Sequence, residues 1–194
     1  QVVAFTNVIG KFKGYEGRKT LLLGTHFDTR WRADNEFLLA EREKPILGAN
    51  DGGSGTAILL EMACLFEKKP PRENVLLAFF DAEDIGDIDG YNYSEGADYF
   101  CRHAPLDFLP DEAIILDMVA GEKMRLTLDA HSFLLPRSQE MIKEIFDRGR
   151  ALKYPPFFKN TARAIVCDHI PFIQLGIPAI LLIEMDYPPW HTHR

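Results

Sequence analysis

The chain has 194 residues, of which 46% are hydrophobic and 26% are charged, and this composition suits one compact domain with a sizeable core. Its net charge is -7, with 22 basic residues and no long basic run, which argues against a nucleic-acid partner and a polybasic membrane-binding surface. No uninterrupted apolar stretch approaches the roughly 20 residues that a membrane-spanning helix needs.

The N-terminal half of the chain predicts strands, a long loop and one helix. Apolar runs predict a strand over residues 2–8, followed by a glycine-rich turn, and a second strand over Thr20–His26. Residues 27–50 are polar with few regular signals, and they predict a surface loop. Apolar residues at helical spacing predict a helix over residues 53–69, and a further apolar run predicts a strand over Asn74–Phe80.

The C-terminal half continues the alternation of strands and helices. Strands are predicted over residues 112–119 and 178–184, and helices over residues 137–154 and 168–175. Strands without a polar face are buried on both sides, as in the interior of a layered sheet. The sequence therefore predicts the α/β class, as a three-layer α/β/α sandwich on one mostly parallel central sheet, made mixed by an early hairpin.

Acids and histidines gather at the ends of the predicted strands. Ligands of open α/β sheets bind beyond the carboxyl ends of the strands, so these side chains are expected to converge on one crevice. The alternative is that charged residues merely mark where strands reach solvent. The residues concerned are His26 and Asp28, then Asp81, Glu83 and Asp84, then Asp117, and finally Glu184 leading to His191.

The segment GANDGGSG, residues 48–55, places Asp51 between a loop and a helix. One interpretation is helix capping, for which Asp and Asn are favoured. The other is a ligand role, because an isolated cap does not require the glycines that follow Asp51 and allow close backbone approach. We favour the ligand role.

Three further positions carry candidate chemistry. Glu83 and Asp84 are neighbours whose side chains diverge, so one can bind a metal while the other reaches the substrate. Asp117 interrupts an apolar strand and needs a compensating partner. Asp168 either caps a short helix or joins the site. A solvated acidic loop is the alternative for Glu83 and Asp84.

The segment DYPPWHT, residues 186–192, places Trp190 and His191 in a proline-stiffened loop after the last strand. A lone histidine is more often structural than a ligand. Here an Asp/Asp/His set formed by Asp51, Asp84 and His191 would make a workable zinc shell. The sequence therefore predicts a zinc site built from these side chains.

Six motifs, in order along the chain, resemble the glutaminyl-peptide cyclotransferases and their relatives, the co-catalytic zinc aminopeptidases. They are GTHFDTR, LGANDGGSG, FFDAED, ILDMV, DHIPF-x5-GIPAI and DYPPWHT. The resemblance implies a zinc aminopeptidase-like fold and a single catalytic domain over residues 1–194. It also implies that N-terminal and C-terminal helical segments of the full fold lie outside this sequence.

The two branches of this superfamily imply different metal sites. In the aminopeptidases His26 and Asp117 would bind a second zinc, Asp51 would bridge the two ions, and Glu83 would activate water. In the cyclotransferases one zinc would lie on Asp51, Asp84 and His191. Glu83, Asp117 and Asp168 would then form a proton-handling network, and Trp190 would line the substrate pocket.

Three features favour the cyclotransferase branch: THFDTR followed by WRADN, the Trp190–His191 pair, and the proline-rich approach DYPP. Two features depart from that branch. Cys167 occupies a position where many cyclotransferases carry another acid, and the loop over residues 85–93 lacks the tryptophan of the animal enzymes, for which Tyr91 or Tyr93 is a replacement.

The expected activity is cyclisation of N-terminal glutamine to pyroglutamate with release of ammonia, using one Zn²⁺ per chain. The alternatives are a dizinc aminopeptidase and a non-catalytic binding protein with a degenerate site. The expected partners are peptide or protein N-termini. The three cysteines form no C-x-x-C pair, and the compartment stays open, with periplasmic and secreted locations both compatible.

Overall fold

The computed structural model describes residues 3–158 and 160–194. The strands, in chain order, are β1 (Val8–Phe12), β2 (Thr20–His26), β3 (Asn74–Phe80), β4 (Glu112–Asp117), β5 (Leu128–Asp129), β6 (Ala162–Arg163) and β7 (Ala179–Ile183). The α-helices are α1 (Gly53–Lys68), α2 (Glu95–His103), α3 (Pro136–Ala151) and α4 (His169–Gln174). Single 3₁₀ turns lie at Leu39–Glu41, Leu106–Phe108, His131–Phe133 and Pro155–Phe157.

The central sheet has five strands in the order β1-β3-β2-β4-β7. The four strands β3, β2, β4 and β7 are parallel, and β1 alone runs antiparallel, against β3. The predicted mixed, mostly parallel sheet is therefore confirmed. The predicted hairpin is wrong, because β1 pairs with β3, where Val8 faces Phe79, and not with its chain neighbour β2.

Alternate residues of the central strands pack into hydrophobic clusters on opposite faces of the sheet. On one face Leu22 packs in a cluster with Phe172 of α4 and with residues of α2. On the other face Leu23 packs with Leu59 of α1, and Ile180 packs in a cluster with α3. Helices thus cover both faces, and the predicted three-layer α/β/α sandwich is confirmed.

Two predictions in the N-terminal half need correction. The first strand begins at Val8 and not at residue 2, because its ladder with β3 starts with Val8 opposite Phe79 and β3 ends one residue later, at Phe80 (residues 1 and 2 lie outside the described part). Residues 27–50 are not wholly a surface loop, since Arg30 and Ala33 are buried.

Helix α2 was not predicted, although Ala97, Phe100 and Cys101 are buried at helical spacing. Its short length and the acidic loop before it hid that spacing. The three cysteines, Cys64, Cys101 and Cys167, are free thiols. Within the described residues, no helix combines the length and apolar character that a membrane crossing requires.

Candidate active site

The carboxyl ends of four neighbouring parallel strands define the site. Strand β2 lies between its two successors in the chain, which forms β3 on one side of β2 and then crosses over to form β4 on the other side. Such a switch point opens a crevice beyond the strand ends. His26 is the last residue of β2 and Asp117 the last of β4, whereas Asp84 follows β3 and His191 follows β7.

Asp51, Asp84 and His191, here called the outer triad, present ligand atoms within 4.8 Å of one another. His191 Nε2 lies 3.2 Å from Asp84 Oδ1 and 3.4 Å from Asp51 Oδ2. Three buried atoms of this triad, Asp51 Oδ2, Asp84 Oδ2 and His191 Nε2, make no hydrogen bond with any described residue. Buried polar atoms normally have partners, so three orphans at one point indicate a missing ligand.

His26, Asp51 and Asp117, here called the inner triad, share Asp51 with the outer triad. His26 Nε2 lies 3.1 Å from Asp51 Oδ1 and 3.2 Å from Asp117 Oδ1. The Gly52 N–H donates to the same nitrogen at 3.3 Å. On the far side of the ring, His26 Nδ1 lies 3.3 Å from Asp28 Oδ1. The inner triad is therefore bonded within itself, in contrast to the outer triad.

Asp51 does not cap helix α1. The capping position is Gly52, and the helix start has no side-chain hydrogen bond. Gly52 has a φ of 36°, and a Cβ there would lie 2.8 Å from the carbonyl oxygen of His26. The glycine thus allows the backbone after Asp51 to approach β2 closely enough for Asp51 to reach both histidines.

Asp168 also fails to act as a cap. It occupies the position before α4 without a side-chain capping bond, and neither of its carboxylate oxygens has a partner among the described residues. Asp168 is fully buried, and Glu83 is 5% exposed. The thiol of Cys167 lies 3.5 Å from Asp117 Oδ2. A buried acidic network thus surrounds the two triads.

Burial shifts the proton affinity of this network upward. Burial raises the pKa of Glu83 well above its usual value, and the charges of Asp168 and Asp84 add to the effect against that of His26. Burial likewise raises the pKa of Asp168 to about 8. A carboxyl that binds a proton near neutral pH can both accept and return one, which acid–base catalysis requires.

Electrostatics within the triads favour imidazolium and carboxylate pairs. Against the effect of burial, the contacts with Asp51 and Asp84 raise the pKa of His191 to about 9. Asp117 raises the pKa of His26 above its usual range in the same way. Burial raises the pKa of Asp84 to about 6, whereas His191 and His26 hold the pKa of Asp51 well below its usual value. A divalent cation would replace these shared protons.

The backbone is strained at the site residues. Left-handed φ angles occur at Ala82 (57°), directly before Glu83, at Met118 (44°), directly after Asp117, and at His191 itself (54°). Each such residue costs about 1–3 kcal/mol and persists only where its surroundings hold it. The surrounding structure therefore fixes these side chains in directions that an unstrained backbone would not give.

A cavity of about 280 Å³ opens onto the outer triad. Glu83 and Asp117 line it with the outer triad, and Trp190 and Tyr93 add aromatic walls. Trp190 also lies against His191, with ring centroids 4.3 Å apart. Of the two candidate tyrosines of this region, Tyr93 lines the cavity, whereas Tyr91 packs edge-on against Phe5.

Two predicted site residues do not join the crevice. Asp81 accepts hydrogen bonds from the backbone N–H groups of Thr6 and Ala82. Glu184 accepts the backbone N–H of Arg125. Both are buried or half-buried acids with structural partners on neighbouring loops.

Sequence reasoning missed a further histidine–acid group, the Asp129 cluster, formed by Asp129, His131 and His169. His169 Nε2 lies 2.9 Å from Asp129 Oδ2, and His131 Nδ1 lies 3.2 Å from Asp129 Oδ1. The N–H and hydroxyl of Ser132 and the N–H of Ile165 donate to the same carboxylate. Asp129 is thus fully engaged, and His131 belongs to a structural network that also includes the carbonyl oxygen of Ile165.

A mostly parallel α/β sheet with buried Asp/His triads at its carboxyl edge is the architecture of metal-dependent α/β enzymes. Residues 7–194 match Peptidase family M28, and the chain belongs to this family. The resemblance inferred from the motifs is therefore confirmed at the level of the family.

Solved structures show the same fold. The glutaminyl cyclase of Tannerella forsythia is 32% identical, with a TM-score of 0.87 over 98% of this chain and 70% of that chain. A Zn-dependent exopeptidase from Parabacteroides distasonis is 29% identical, with a TM-score of 0.88 over 98% of this chain and 70% of that chain.

Among curated proteins, the glutaminyl-peptide cyclotransferase of Drosophila melanogaster is 24% identical over 97% of this chain. The chain spans 57% of that relative's length. The similar proteins thus include both enzymes that cyclise glutamine and enzymes that remove terminal residues.

The outer triad fits zinc. Zinc binds imidazole nitrogen and carboxylate oxygen in tetrahedral sites, and enzymes that use it catalytically retain an open position for substrate. The triad supplies one imidazole and two carboxylates, its orphaned atoms converge, and a cavity reaches it.

Proposed function

We propose that this site converts N-terminal glutamine of peptides or proteins to pyroglutamate with release of ammonia, using one zinc ion held by Asp51, Asp84 and His191. The observation that carries the proposal is the contrast between the two triads. The outer triad has three orphaned ligand atoms, whereas His26 and Asp117 of the inner triad bond to each other. One open metal position is what a cyclisation needs, because the nucleophilic amine is already part of the substrate.

Zinc in this position supplies a Lewis acid that polarises the γ-carbonyl oxygen of the glutamine. The residues of the chain handle the protons. The α-amine nitrogen forms a bond to the carbonyl carbon of the side-chain amide, and Glu83 accepts the proton that the amine loses. Glu83 then returns the proton to the departing amide nitrogen, which leaves as ammonia when its bond to that carbonyl carbon breaks.

Asp117 and Asp168 support the proton transfer. Both lie close enough to Glu83 for their charges to raise its pKa beyond the effect of burial, so Glu83 holds a proton more tightly than an isolated carboxyl would. Trp190 lies in the cavity wall beside His191, where its ring would pack against the glutamine side chain. The cavity volume of about 280 Å³ suits one side chain better than an extended peptide.

The test uses the chain loaded with zinc and two matched peptides, one that begins with Gln and one that begins with Ala. We expect the Gln peptide to lose ammonia by mass and the Ala peptide to stay intact. In the isosteric variant Glu83→Gln, zinc should remain bound and turnover should fall by at least about 100-fold, as general acid–base catalysis contributes. Release of the first residue from either peptide would overturn the proposal.

A dizinc aminopeptidase is the second candidate function. The observation that favours it is the inner triad itself, whose ligand atoms lie as close together as those of the outer triad. It predicts about two zinc ions per chain and release of the N-terminal Ala. Zinc analysis of the chain and of His26→Ala distinguishes the two, because the cyclase proposal expects one ion in both. Zinc binding without turnover of either peptide would favour a non-catalytic binding protein.

A further inference from the structure

The segment over residues 30–36 packs against the loop that carries His191. The Asn35 N–H donates to the His191 carbonyl oxygen at 3.1 Å, and the Asn35 side chain donates to the carbonyl of Trp190 at 3.4 Å. The His193 N–H donates to Glu36 Oε2 at 3.1 Å. These contacts hold His191 in its left-handed conformation, so a segment with the composition of a polar loop is part of the scaffold of the site.

Asp34 lies behind the imidazole of His191. Its Oδ1 is 3.2 Å from His191 Nδ1, on the side of the ring opposite to the outer triad. Asp34 Oδ1 is buried and makes no hydrogen bond of good geometry with any described residue, and the same is true of His191 Nε2. Two orphaned atoms thus lie on opposite sides of one ring. The imidazole thus has the carboxylate of Asp34 beside Nδ1 and the carboxylate of Asp84 beside Nε2, each at 3.2 Å.

Arg30 fixes Asp34 from behind. Its side chain is buried, and Nε donates to Asp34 Oδ2 at 3.0 Å while Nη2 donates to the same oxygen. Nη1 donates to the carbonyl oxygens of Asp84 at 2.9 Å and of Gly86 at 2.7 Å. One planar guanidinium thus ties the backbone of Asp84 to the carboxylate behind His191, a role that the point charge of a lysine does not fill.

We propose that Asp34, held by Arg30, is a positioning residue for His191. It accepts a hydrogen bond from the Nδ1–H group, which selects the tautomer with a lone pair on Nε2 and fixes the ring toward Asp51 and Asp84. A carboxylate behind a metal-binding histidine orients the ring and raises its basicity, and its loss typically lowers metal affinity by roughly 10- to 100-fold. The inference rests on the proposed zinc ligation by His191 and is independent of the reaction that the site catalyses.

The isosteric variant Asp34→Asn is a sharp test. The amide oxygen of the substituted side chain can still accept from Arg30, and this orientation turns the amide NH₂ toward His191 Nδ1. A donor at Nδ1 favours the tautomer with the proton on Nε2, which opposes metal binding. The expected result in competition with a chromophoric chelator is a roughly 10- to 100-fold weaker zinc affinity.

Glu43→Gln is the matched control, because Glu43 lies in the same polar loop and its exposed carboxylate pairs with Arg32, 3.4 Å away. Its zinc affinity should equal that of the wild type. His191→Ala should lose zinc affinity further than Asp34→Asn. If the zinc affinity of Asp34→Asn lies within about twofold of the wild type while His191→Ala loses most of its affinity, the proposed role of Asp34 is wrong and zinc ligation by His191 still stands. Equal affinities of the wild type and His191→Ala would overturn the proposed zinc ligation as well.

A measurement on the unaltered chain covers the case in which Asp34→Asn does not fold. In the zinc-loaded protein, nitrogen-correlated NMR should show the His191 Nδ1–H proton far downfield and protected from exchange with water. A resonance that exchanges as fast as that of an exposed histidine would contradict the bond to Asp34.

Discussion

The outer triad and the Asp129 cluster use the same residue types and differ in how their polar atoms are satisfied. In the Asp129 cluster both oxygens of one carboxylate accept several donors, from Ser132, Ile165 and the two histidines. Its one orphaned atom within the described residues, His169 Nδ1, is not the ring nitrogen that bonds to Asp129. In the outer triad one atom of each residue is buried and has no hydrogen bond within the described residues. The first arrangement stabilises a fold, and the second is prepared for a ligand. Residue type alone does not distinguish them.

The largest expected effect comes from removing one ligand of the outer triad. Asp84→Asn keeps the shape of the side chain and removes a charged oxygen that has no hydrogen bond to lose. We expect zinc affinity to fall by more than the roughly 100-fold limit for residues that act behind a ligand. Equilibrium dialysis with zinc measures this effect.

The stability of the metal-free variant is the control for this experiment. The substitution relieves the cost of burying a carboxylate and removes its ion pair with His191, and these effects oppose each other. The free energy of unfolding of metal-free Asp84→Asn should therefore stay within about 2 kcal/mol of the wild type. Undiminished zinc binding by a folded Asp84→Asn protein would remove Asp84 from the proposed metal site.

The Asp129 cluster should give the opposite result. Asp129→Asn replaces an oxygen that accepts the N–H and hydroxyl of Ser132 or the N–H of Ile165, and it leaves buried donors unpaired. Loss of a buried charged partner should lower the free energy of unfolding by about 3 kcal/mol. Urea unfolding measures the loss, and zinc stoichiometry should be unchanged. A fall in zinc stoichiometry in the folded variant would show that this cluster also binds metal.

A smaller effect concerns the backbone beside Asp51. In Gly52→Ala the new Cβ would lie 2.8 Å from the carbonyl oxygen of His26 and 2.9 Å from that of Asp28, at a φ of 36°. We expect a loss of about 2 kcal/mol in the free energy of unfolding, with weaker zinc binding because Asp51 is displaced. Urea unfolding and chelator competition measure the two effects.

Gly90→Ala is the matched control for backbone strain. Gly90 also has a positive φ, of 86°, but within the described residues a Cβ there would meet nothing within 4 Å. The free energy of unfolding of Gly90→Ala should be about 1 kcal/mol lower than that of the wild type, with no change in zinc affinity. Equal effects of the two substitutions on zinc binding would mean that the close approach at Gly52 does not position Asp51.

The strands of the central sheet can be predicted from the sequence because buried strands are continuous apolar runs with polar ends. The bounds of β2 and β3 follow from this rule to the residue. The start of β1 does not, because it depends on where β3 ends and on a pairing between strands that are not neighbours in the chain. Local composition determines the first kind of feature, and long-range register determines the second.

The residues of the candidate site also fall into two groups, those that local sequence signals predict and those that only the fold brings together. Glycines beside Asp51 and acids at strand ends are local signals, and they predict the triads. Asp34 and Asp129 have no such signal, since Asp34 lies in an aperiodic loop and Asp129 in a strand of two residues. Their partners, His191 and His169, are far away in the sequence. Only the fold shows that one carboxylate lies behind a proposed ligand and that the other binds a structural histidine.

The smallest expected effect is a pH dependence that belongs to the Asp129 cluster alone. Burial opposes ionisation of Asp129, but His169 and the N–H groups of Ile165 and Ser132 hold its pKa well below the usual value. A carboxyl whose pKa is lower in the folded than in the unfolded chain stabilises the fold above the unfolded pKa, near about 4, and loses that contribution as the pH falls further. The difference in unfolding free energy between wild type and Asp129→Asn should therefore be constant from about pH 7 to 5 and shrink below about pH 4. Urea unfolding of both proteins across this range measures the difference, and a gap that is as wide at about pH 3 as at about pH 7 would mean that hydrogen-bond geometry and not the charge of Asp129 stabilises this cluster.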